Sequence, residues 1–338
     1  MLVPAPLAAL NGGPIYDRAI IDELRAAGHE VAAFELAGRH PLPDDTARAA
    51  AQAAWAGCGG AMPVIDGLGL PAFEDLTEAL IRREAVALVH HPTALETGVD
   101  AATRDQLRAI ERRMLPQLRR VIVTSDDTAA RLAAEFGVAA ERIRVVVPGT
   151  PDAPRGHGPA RDGCAILSIG TLLPRKGHDV LLRALARLPD LDWKLAIVGA
   201  APLPEHARML QALAADLGIA ARVRFAGALD GAALEAEWAG AGLFALATHY
   251  EGYGMAIAEA LRRGLPVAVT SGGAAAAMVP SAAGVVAAPG DAVRLSNAMR
   301  RVIFDAALRR DMADAAWTAG QSLPGWAAQA RLFAAALG

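Results

Sequence analysis

The sequence predicts an α/β protein that contains two doubly wound parallel sheets. Short apolar segments alternate with longer segments of helical periodicity along nearly all of the 338 residues. The alternation is interrupted once, by the stretch 148–163, which is dense in Pro and Gly and has no periodicity. A chain of this length usually exceeds one hydrophobic core, so the interruption predicts a linker between two domains.

The composition is that of a globular protein, with 54% hydrophobic, 20% charged and 4% aromatic residues. A net charge of −3 and a pI near 6.3 disfavour a general nucleic-acid binder, which would normally be basic. The two cysteines, Cys58 and Cys164, cannot form a disulfide framework and lack metal-ligand spacing. No apolar run is long enough for a membrane span, and the amino terminus lacks the positive start of an export signal. We therefore expect a cytoplasmic protein without a cofactor.

Six strands are expected in each half of the chain. The first six lie near Met1–Val3, Val31–Glu35, Met62–Ile65, Ala85–His90, Val121–Thr124 and Ile143–Val147. The second six lie at Ala165–Ile169, Lys194–Val198, Val223–Ala226, Leu243–Ala247, Val267–Thr270 and Val285–Ala287. Helices are expected between them, for example at Ile15–Ala27 and Asp127–Phe136, and the last at Trp326–Leu337.

These elements predict a first Rossmann-like domain over residues 1–150, a linker over 151–163 and a second Rossmann-like domain over 164–322. The helix at 323–338 is expected to pack back on the first domain. Open α/β sheets bind ligands at the carboxyl ends of their strands. We therefore expect the two sheets to face a cleft that holds a shared ligand.

Two glutamates flank a glycine turn in HYEGYGMAIAEALRRGLP, residues 249–266. A helix that begins near Met255, directly after glycines, offers free backbone N–H groups and a positive dipole end, which favour a phosphate group. Glu259 lies about one turn into this helix, and a buried carboxylate requires donors such as the two hydroxyls of a sugar diol. Alternatively, Glu251 belongs to a solvated loop and Glu259 to a solvated helix face.

Two cations follow the first strand of the second domain in SIGTLLPRKGHDVLLRAL, residues 168–185. Arg175 and Lys176 lie in the loop that leads from Gly170 to the next helix, where they can neutralise a diphosphate. Of the 33 Lys and Arg residues, only Lys176 and Lys194 are lysine. An isolated basic loop is also common as a solvated surface feature.

Together, the two stretches resemble the retaining glycosyltransferases of the GT-B fold, specifically family 4, the glycosyl transferases group 1. EGYGMAIAEALRRGLPV matches that family's motif of two glutamates separated by seven residues, and PRKG matches its phosphate-binding loop. Its next two strands are matched by AIVG at 196–199 and RVRFAG at 222–227. Its amino-terminal glycine loop and second strand are matched by Gly12-Gly13 and by AAGHEV at 26–31. The resemblance covers nearly the whole chain and is most specific within 165–290.

The resemblance implies that the second domain holds a nucleotide sugar and the first an acceptor. Glu259 would bind the ribose hydroxyls, and Glu251 would lie by the hydroxyls of the donor sugar. The N–H groups of Gly254 and Met255 would meet the sugar or the phosphate. Lys176, with Arg175, would stabilise the leaving diphosphate. The remaining loop residues expected to contact the donor are Gly170, Gly252 and Tyr253.

The implied reaction is the transfer of a hexose with retention of configuration, in which the leaving diphosphate helps to deprotonate the acceptor. No Ser/His/Asp nucleophile is recognisable, and no Asp-x-Asp stands at a strand end, so a divalent metal is not required. Thr171 follows Gly170, where the family often has arginine, so Arg175 is expected to replace that cation. The later glycine pair, in SGGAAAAMVP, lacks the glutamate that many members carry there.

The first domain has its own candidates in ALVHHPTALETG, residues 87–98. The family commonly places a histidine here that faces the reaction centre, and His90 fits that position better than His91. Either histidine could instead cap the end of the strand. Gly12 and Gly13 could let the chain approach the donor phosphate or the acceptor closely, or they could form an ordinary tight turn.

Other interpretations remain open for the chain as a whole. Residues 104–120 form a basic amphipathic helix that could touch anionic lipid, although a solvated helix face interrupted by Pro116 explains the pattern as well. The acceptor could be a saccharide, a lipid-linked molecule or a small molecule. The fold would also suit a sugar-nucleotide epimerase, a phosphorylase or a non-catalytic protein that binds sugar nucleotides.

Overall fold

The computed structural model describes residues 1–96, 100–158 and 163–338. The chain divides into two compact units, of which unit 1 comprises Met1–Gly149 with Pro324–Gly338 and unit 2 comprises Thr150–Leu323. Each unit contains one parallel six-stranded sheet, which confirms the predicted fold class. Part of the predicted linker, residues 159–162, lies outside the described residues.

Each predicted strand overlaps an observed one. The strands of unit 1 are β1 (Leu2–Pro4), β2 (Phe34–Leu36), β3 (Val64–Asp66), β4 (Val86–Val89), β5 (Arg120–Val123) and β6 (Ile143–Val145). The strands of unit 2 are β7 (Cys164–Ile169), β8 (Trp193–Val198), β9 (Val223–Gly227), β10 (Leu243–Leu246), β11 (Val267–Thr270) and β12 (Gly284–Ala287).

Helices alternate with these strands. Unit 1 contains α1 (Gly12–Ala26), α2 (Asp45–Gly57), α3 (Thr77–Arg82), α4 (Ala101–Met114), α5 (Asp126–Phe136) and α12 (Trp326–Leu337). Unit 2 contains α6 (His178–Ala186), α7 (Pro204–Asp216), α8 (Gly231–Gly240), α9 (Met255–Arg262), α10 (Ala292–Phe304) and α11 (Ala306–Gln321). Within the three described ranges, no helix is long and apolar enough to span a bilayer.

The strand order determines where each unit can bind a ligand. The order is β2-β1-β3-β4-β5-β6 in unit 1 and β12-β11-β10-β7-β8-β9 in unit 2. The direction of the crossovers reverses between β1 and β3 in the first sheet and between β7 and β10 in the second. A crevice opens at such a reversal beyond the carboxyl ends of the strands, and ligands of open α/β sheets bind there.

Both sheets are covered on both faces, which explains why their central strands are almost uniformly apolar. In unit 1, one face packs against α2, α4 and α5, and the other against α1 and α12. The Trp326 ring of α12 meets the Tyr16 ring of α1 edge to face, with 5.6 Å between centroids, and Phe333 is fully buried. The chain therefore leaves unit 1 at Gly149 and returns to it to complete the core.

Two predicted helices differ from the observed ones at their ends. Helix α1 begins at Gly12 rather than Ile15, because Pro14 is compatible with a first helical turn and the Ile15 N–H already bonds to the Asn11 carbonyl. The predicted basic helix 104–120 begins earlier, at Ala101, and ends at Met114. Pro116 lies in a 3-10 turn, and Arg120 already belongs to β5.

Candidate active site

Lys176 and Glu251 form a buried ion pair at the crossover reversal of unit 2. Lys176 follows β7 and Glu251 follows β10, and these two strands are neighbours in the sheet. Lys176 Nζ donates a hydrogen bond of 2.7 Å to Glu251 Oε1, and the two side chains are only 15% and 8% exposed. The pairing of β7 with β10 thus joins two motifs that are far apart in the sequence.

Backbone contacts fix the two loops against each other. The Arg175 carbonyl accepts hydrogen bonds from the His249 N–H at 2.8 Å and from Thr248 Oγ1 at 3.0 Å. Gly177 has φ +60°, and a Cβ atom at this position would lie 2.0 Å from the Ala247 carbonyl oxygen. Gly177 therefore meets two requirements at once, a left-handed backbone and close contact with the neighbouring loop. The aliphatic part of Lys176 lies over Gly170, where an added Cβ would be 3.3 Å from Lys176 Cδ.

The charge of Glu251 is balanced by two cations. Burial would raise the pKa of Glu251, but Lys176 and Arg175 together hold that pKa below its usual value. Arg175 Nη1 lies 3.7 Å from Glu251 Oε1 and donates to the Tyr250 carbonyl at 2.8 Å. Glu251 is therefore ionised at neutral pH, and the two cations gather at the crossover reversal of unit 2.

The glycine pair of SGGAAAAMVP supports the backbone of the Glu251 loop. The Glu251 N–H bonds to the Gly272 carbonyl at 3.1 Å, and the Ala274 N–H bonds to the Glu251 carbonyl at 2.9 Å. A Cβ atom at Gly272 would lie 2.3 Å from the His249 carbonyl oxygen. The absence of side chains at this pair allows the two loops to approach closely enough to form these bonds.

Helix α9 begins directly after this loop. Gly254, with φ +105°, is its N-cap and carries no side chain that could bond to the first N–H groups of the helix. These N–H groups and the dipole of the helix provide positive potential for an anion. Burial raises the pKa of Tyr253, which precedes Gly254 and is partly buried.

Glu259 lies one turn into α9 and is partly buried. No group in the described part of the chain donates a hydrogen bond to its carboxylate. Burial raises the pKa of Glu259 to about 7, opposed by the charge of Arg263 and reinforced by that of Glu235. Arg263 Nη2 donates instead to Glu235. The Glu259 carboxylate is thus an acceptor whose donors are not supplied by the described residues of unit 2.

A second polar cluster lies at the crossover reversal of unit 1. His90 follows β4, Asp66 ends β3 and Asp17 lies in α1, which follows β1. His90 Nε2 lies 3.1 Å from Asp66 Oδ2 and 3.3 Å from Asp17 Oδ1. A Cβ atom at Gly13 would lie 3.4 Å from His90 Cδ2, so this glycine allows α1 to pack against the imidazole ring.

Asp17, Asp66 and His90 differ in how far they are exposed to solvent. Asp17 is 1% exposed and Asp66 3% exposed, whereas the His90 side chain is 21% exposed. Burial and the charge of Asp66 raise the pKa of Asp17 to about 6, although His90 lowers it. One ligand atom from each side chain lies within 4.8 Å of the other two, so the three could surround a small cation.

Two family models match consecutive parts of the chain. The model described as Glycosyltransferase Family 4 matches residues 71–153, and the model described as Glycosyl transferases group 1 matches residues 151–318. The chain belongs to the family 4 glycosyltransferases.

Similar proteins agree with this assignment. A D-inositol 3-phosphate glycosyltransferase of Acidothermus cellulolyticus is 33% identical over 214 residues, which are 56% of this chain and 47% of that protein. Sucrose-phosphate synthase of Thermosynechococcus elongatus has the same fold, with a TM-score of 0.82, 23% identity and 99% coverage of both chains. HepE of Anabaena in complex with UDP-glucose superposes with a TM-score of 0.78 at 19% identity, covering 99% of this chain and 98% of that one. The chain spans about half the length of the curated relatives that it matches.

In this family 4 glycosyltransferase, the residues selected from the sequence fall into two groups. The group in unit 2 gathers around the ends of β7 and β10 and the start of α9: Gly170, Arg175, Lys176, Glu251, Gly252, Tyr253, Gly254, Met255 and Glu259. The group in unit 1 lies at the ends of β1 and β4: Gly12, Gly13 and His90.

Sequence reasoning missed the two acidic partners of His90. Asp66 ends the buried strand β3, and Asp17 is a buried acid on the apolar face of α1. An acid at a strand end and an acid within an apolar helical stripe are both detectable signals, because buried carboxylates require partners. Their common partner became identifiable only when the strand order placed β1, β3 and β4 side by side.

His91 and the helix α4 were also candidates. His91 Nε2 contacts Glu96 Oε2 at 3.0 Å and does not join the His90 cluster. Glu111, an acidic residue of α4, is buried and accepts hydrogen bonds from the backbone N–H groups of Thr93 and Ala94. The Glu111 carboxyl group therefore stabilises the turn at Thr93–Leu95, which follows His91, and does not face solvent.

Proposed function

We propose that the chain is a retaining glycosyltransferase that moves a hexose from a nucleoside diphosphate sugar to an acceptor hydroxyl. The observation that carries the proposal is the buried contact of 2.7 Å between Lys176 and Glu251 at the crossover reversal of unit 2. Membership of family 4 and the glycosyltransferase named among its relatives support this reaction class.

Unit 2 would bind the donor. The Glu259 carboxylate accepts no hydrogen bond from the residues that the structure describes. It suits the two hydroxyls of a ribose, because an ionised carboxylate only accepts hydrogen bonds. The start of α9 and its glycine cap suit a phosphate group. Glu251, one loop away, would then accept hydrogen bonds from the transferred sugar. Gly252 and Tyr253 would line the same loop.

Lys176 would act on the leaving group. An ammonium group carries a full positive charge and three N–H donors, so Lys176 is suited to bind oxygens of a diphosphate. As the bond between the anomeric carbon and the diphosphate breaks, negative charge grows on that diphosphate, and a preorganised cation stabilises it. The acceptor oxygen bonds to the same carbon on the same face, and its proton passes to an oxygen of the departing diphosphate.

Positive charge for this step would come from the protein itself. Lys176, Arg175 and the amino-terminal end of α9 converge at the end of the sheet and can neutralise a diphosphate without a divalent metal. We therefore propose metal-independent transfer.

Unit 1 would bind the acceptor, through Gly12, Gly13 and His90 at the ends of β1 and β4. We propose a cytoplasmic location, in keeping with two free cysteines and an acidic pI. The class of acceptor is to be identified by testing which hydroxyl compounds receive the sugar.

The experiment begins with a thermal-shift screen of nucleotide sugars, because a ligand that binds only the folded state raises the melting temperature. The donor found is then incubated with candidate acceptors, and the anomeric configuration of the product is read by NMR with and without a chelator. Retention in the presence of chelator supports the proposal. Inversion, epimerisation of the donor without acceptor, or binding without any turnover would contradict it.

A further inference from the structure

His90 is held by carboxylates from two different elements. Asp66 is fixed in turn, because its Oδ1 atom accepts the Leu68 N–H at 2.7 Å while its Oδ2 atom faces His90 Nε2. Asp17 approaches the same nitrogen from α1. Behind the ring, Thr124 Oγ1 donates to the His90 carbonyl at 2.9 Å. The imidazole ring is therefore oriented by Asp17 and Asp66 and packs against Gly13, while Thr124 holds the His90 backbone.

We propose that Asp17 and Asp66 are positioning residues that keep His90 as an imidazolium, sharing its Nε2–H and leaving its Nδ1–H to donate to a bound ligand. The ligand part rests on the proposed function, whereas the charge state does not. No described residue hydrogen-bonds to Nδ1, and part of the ring is exposed.

The charge balance of the cluster supports this state. A neutral ring would leave two nearly fully buried carboxylates without a cation in direct contact among the described residues, which is strongly unfavourable in a low-dielectric environment. Burial would lower the pKa of His90, but the charges and hydrogen bonds of Asp17 and Asp66 raise it to about 10. Two carboxylates therefore outweigh the desolvation of one imidazolium.

The other ionisable groups near the cluster do not replace this role. Burial raises the pKa of Asp17, and the charge of the Met1 amino terminus opposes this rise. Burial lowers the pKa of His40, and the charge of Asp66 opposes that decrease. The Tyr16 ring meets His90 edge to face at 5.1 Å, but the Tyr16 hydroxyl donates to the Val146 carbonyl at 3.0 Å. The proton shared with the carboxylates therefore belongs to His90.

This assignment changes what His90 can do in transfer. A permanently protonated imidazole cannot accept the acceptor proton, so His90 is not the general base. It is a fixed cationic donor, suited to an oxygen atom of the ligand that unit 1 binds. The leaving diphosphate remains the group that takes the proton.

The charge state can be tested without any substrate. Ring nitrogens are labelled with ¹⁵N, and the His90 signal is assigned by its loss in His90→Gln. The expected result is an imidazolium pattern that stays unchanged from about pH 6 to about pH 9, unlike an ordinary histidine with a pKa of about 6.5. His91, whose Nε2 atom lies 3.0 Å from Glu96 Oε2, gives a second histidine signal in the same spectra. A His90 signal that titrates near neutrality would overturn the proposal.

Substitution of the carboxylates tests their positioning role. In Asp66→Asn, the His90 midpoint should fall into the neutral range. The kcat/KM for the donor found in the thermal-shift screen should fall roughly 10- to 100-fold relative to the wild type at about pH 8, with partial recovery at about pH 6. A purely structural role would give an equal loss at both pH values. Because the wild-type titration decides the charge state, the test does not depend on the folding of this variant.

Two further outcomes separate this inference from its alternatives. Selective broadening of the His90 signal by micromolar Mn²⁺ would identify a cation site and overturn the imidazolium. Failure of every nucleotide sugar to bind would remove the proposed function and the ligand of Nδ1, but the wild-type titration would still decide whether His90 is charged.

Discussion

Lys176 and Glu251, 75 positions apart in the chain, are joined by a hydrogen bond of 2.7 Å. The contact exists because β7 and β10 are adjacent strands and each residue follows one of them. Both charges are therefore in place before any ligand arrives. A site whose charges are already oriented needs little reorganisation during the reaction, and this is the main source of electrostatic catalysis.

Replacement of Lys176 by alanine should reduce turnover much more than donor affinity. In the proposed mechanism the ammonium stabilises charge that develops at the diphosphate, and the loss of one such group lowers the rate by about 10²–10³. Steady-state kinetics and calorimetry with the nucleotide sugar measure the two effects. Lys194→Ala is the matched control, since this lysine is exposed on β8 and should leave turnover unchanged. Equal turnover of both variants would assign Lys176 to a structural role.

Substitutions of Glu251 and Glu259 should alter the binding of different ligands. Glu259→Ala should weaken both free nucleoside diphosphate and nucleotide sugar, by about 1.5–3 kcal/mol or roughly tenfold to a hundredfold, because ribose is common to both. Glu251→Ala should leave free nucleotide nearly unaffected while it lowers turnover and discrimination between sugar epimers. Calorimetry with both ligands distinguishes them, and Glu235→Ala controls for the loss of a nearby charge. The same loss of nucleotide affinity in both glutamate variants would refute the division of roles.

Affinity for the nucleotide-sugar donor should rise with pH through about 7. Burial raises the pKa of Glu259 to about 7, and the ionised carboxylate is the form that accepts two ribose hydroxyls. Below this pKa, binding should weaken by up to about tenfold per pH unit, because the carboxyl must first lose its proton. The measurement is calorimetry across this range. Glu259→Gln should bind weakly with no such dependence, and an unchanged pH profile in this variant would exclude Glu259 as the titrating group.

The same raised pKa affects stability in the free protein. A carboxyl with a folded-state pKa above its unfolded value of 4.5 stabilises the fold fully only below that value, and the contribution is lost as pH rises through about 7. Glu259→Gln should therefore raise the melting temperature more at high pH than at low pH. Equal shifts at both ends of the range would show that Glu259 has an ordinary pKa.

Phe333→Ala should destabilise unit 1 by about 3–5 kcal/mol, the usual effect of truncating a fully buried aromatic side chain. Its neighbour Leu332 is 53% exposed on the same helix, so Leu332→Ala should change stability by less than about 0.5 kcal/mol. Urea unfolding of the two variants provides the comparison. Similar losses in both would show that α12 is not anchored by the face that carries Phe333.

The fold was largely predictable because its strands are buried on both faces and appear as apolar runs between helical segments. The motifs of unit 2 were recognisable in the sequence because they combine glycines with charged residues. Gly177 and Gly254 have positive φ angles that favour glycine, and charged residues lie close to both in the sequence. The partners of His90 were not predictable, because Asp17 and Asp66 meet it only through the order of β1, β3 and β4. Strand order depends on packing across the whole sheet, and local pattern does not encode it.

The return of the chain to unit 1 through α12 has a consequence for biosynthesis. A ribosome delivers residues 1–149 first, yet Tyr16, Ile20 and other core residues of α1 remain without their partners until residues 324–338 emerge. Unit 2 is continuous in sequence and can complete its core earlier. Domains generally fold as units during synthesis, usually from the amino terminus onward. We expect the opposite order here: the half that is made first matures last and presents apolar surface to chaperones throughout translation.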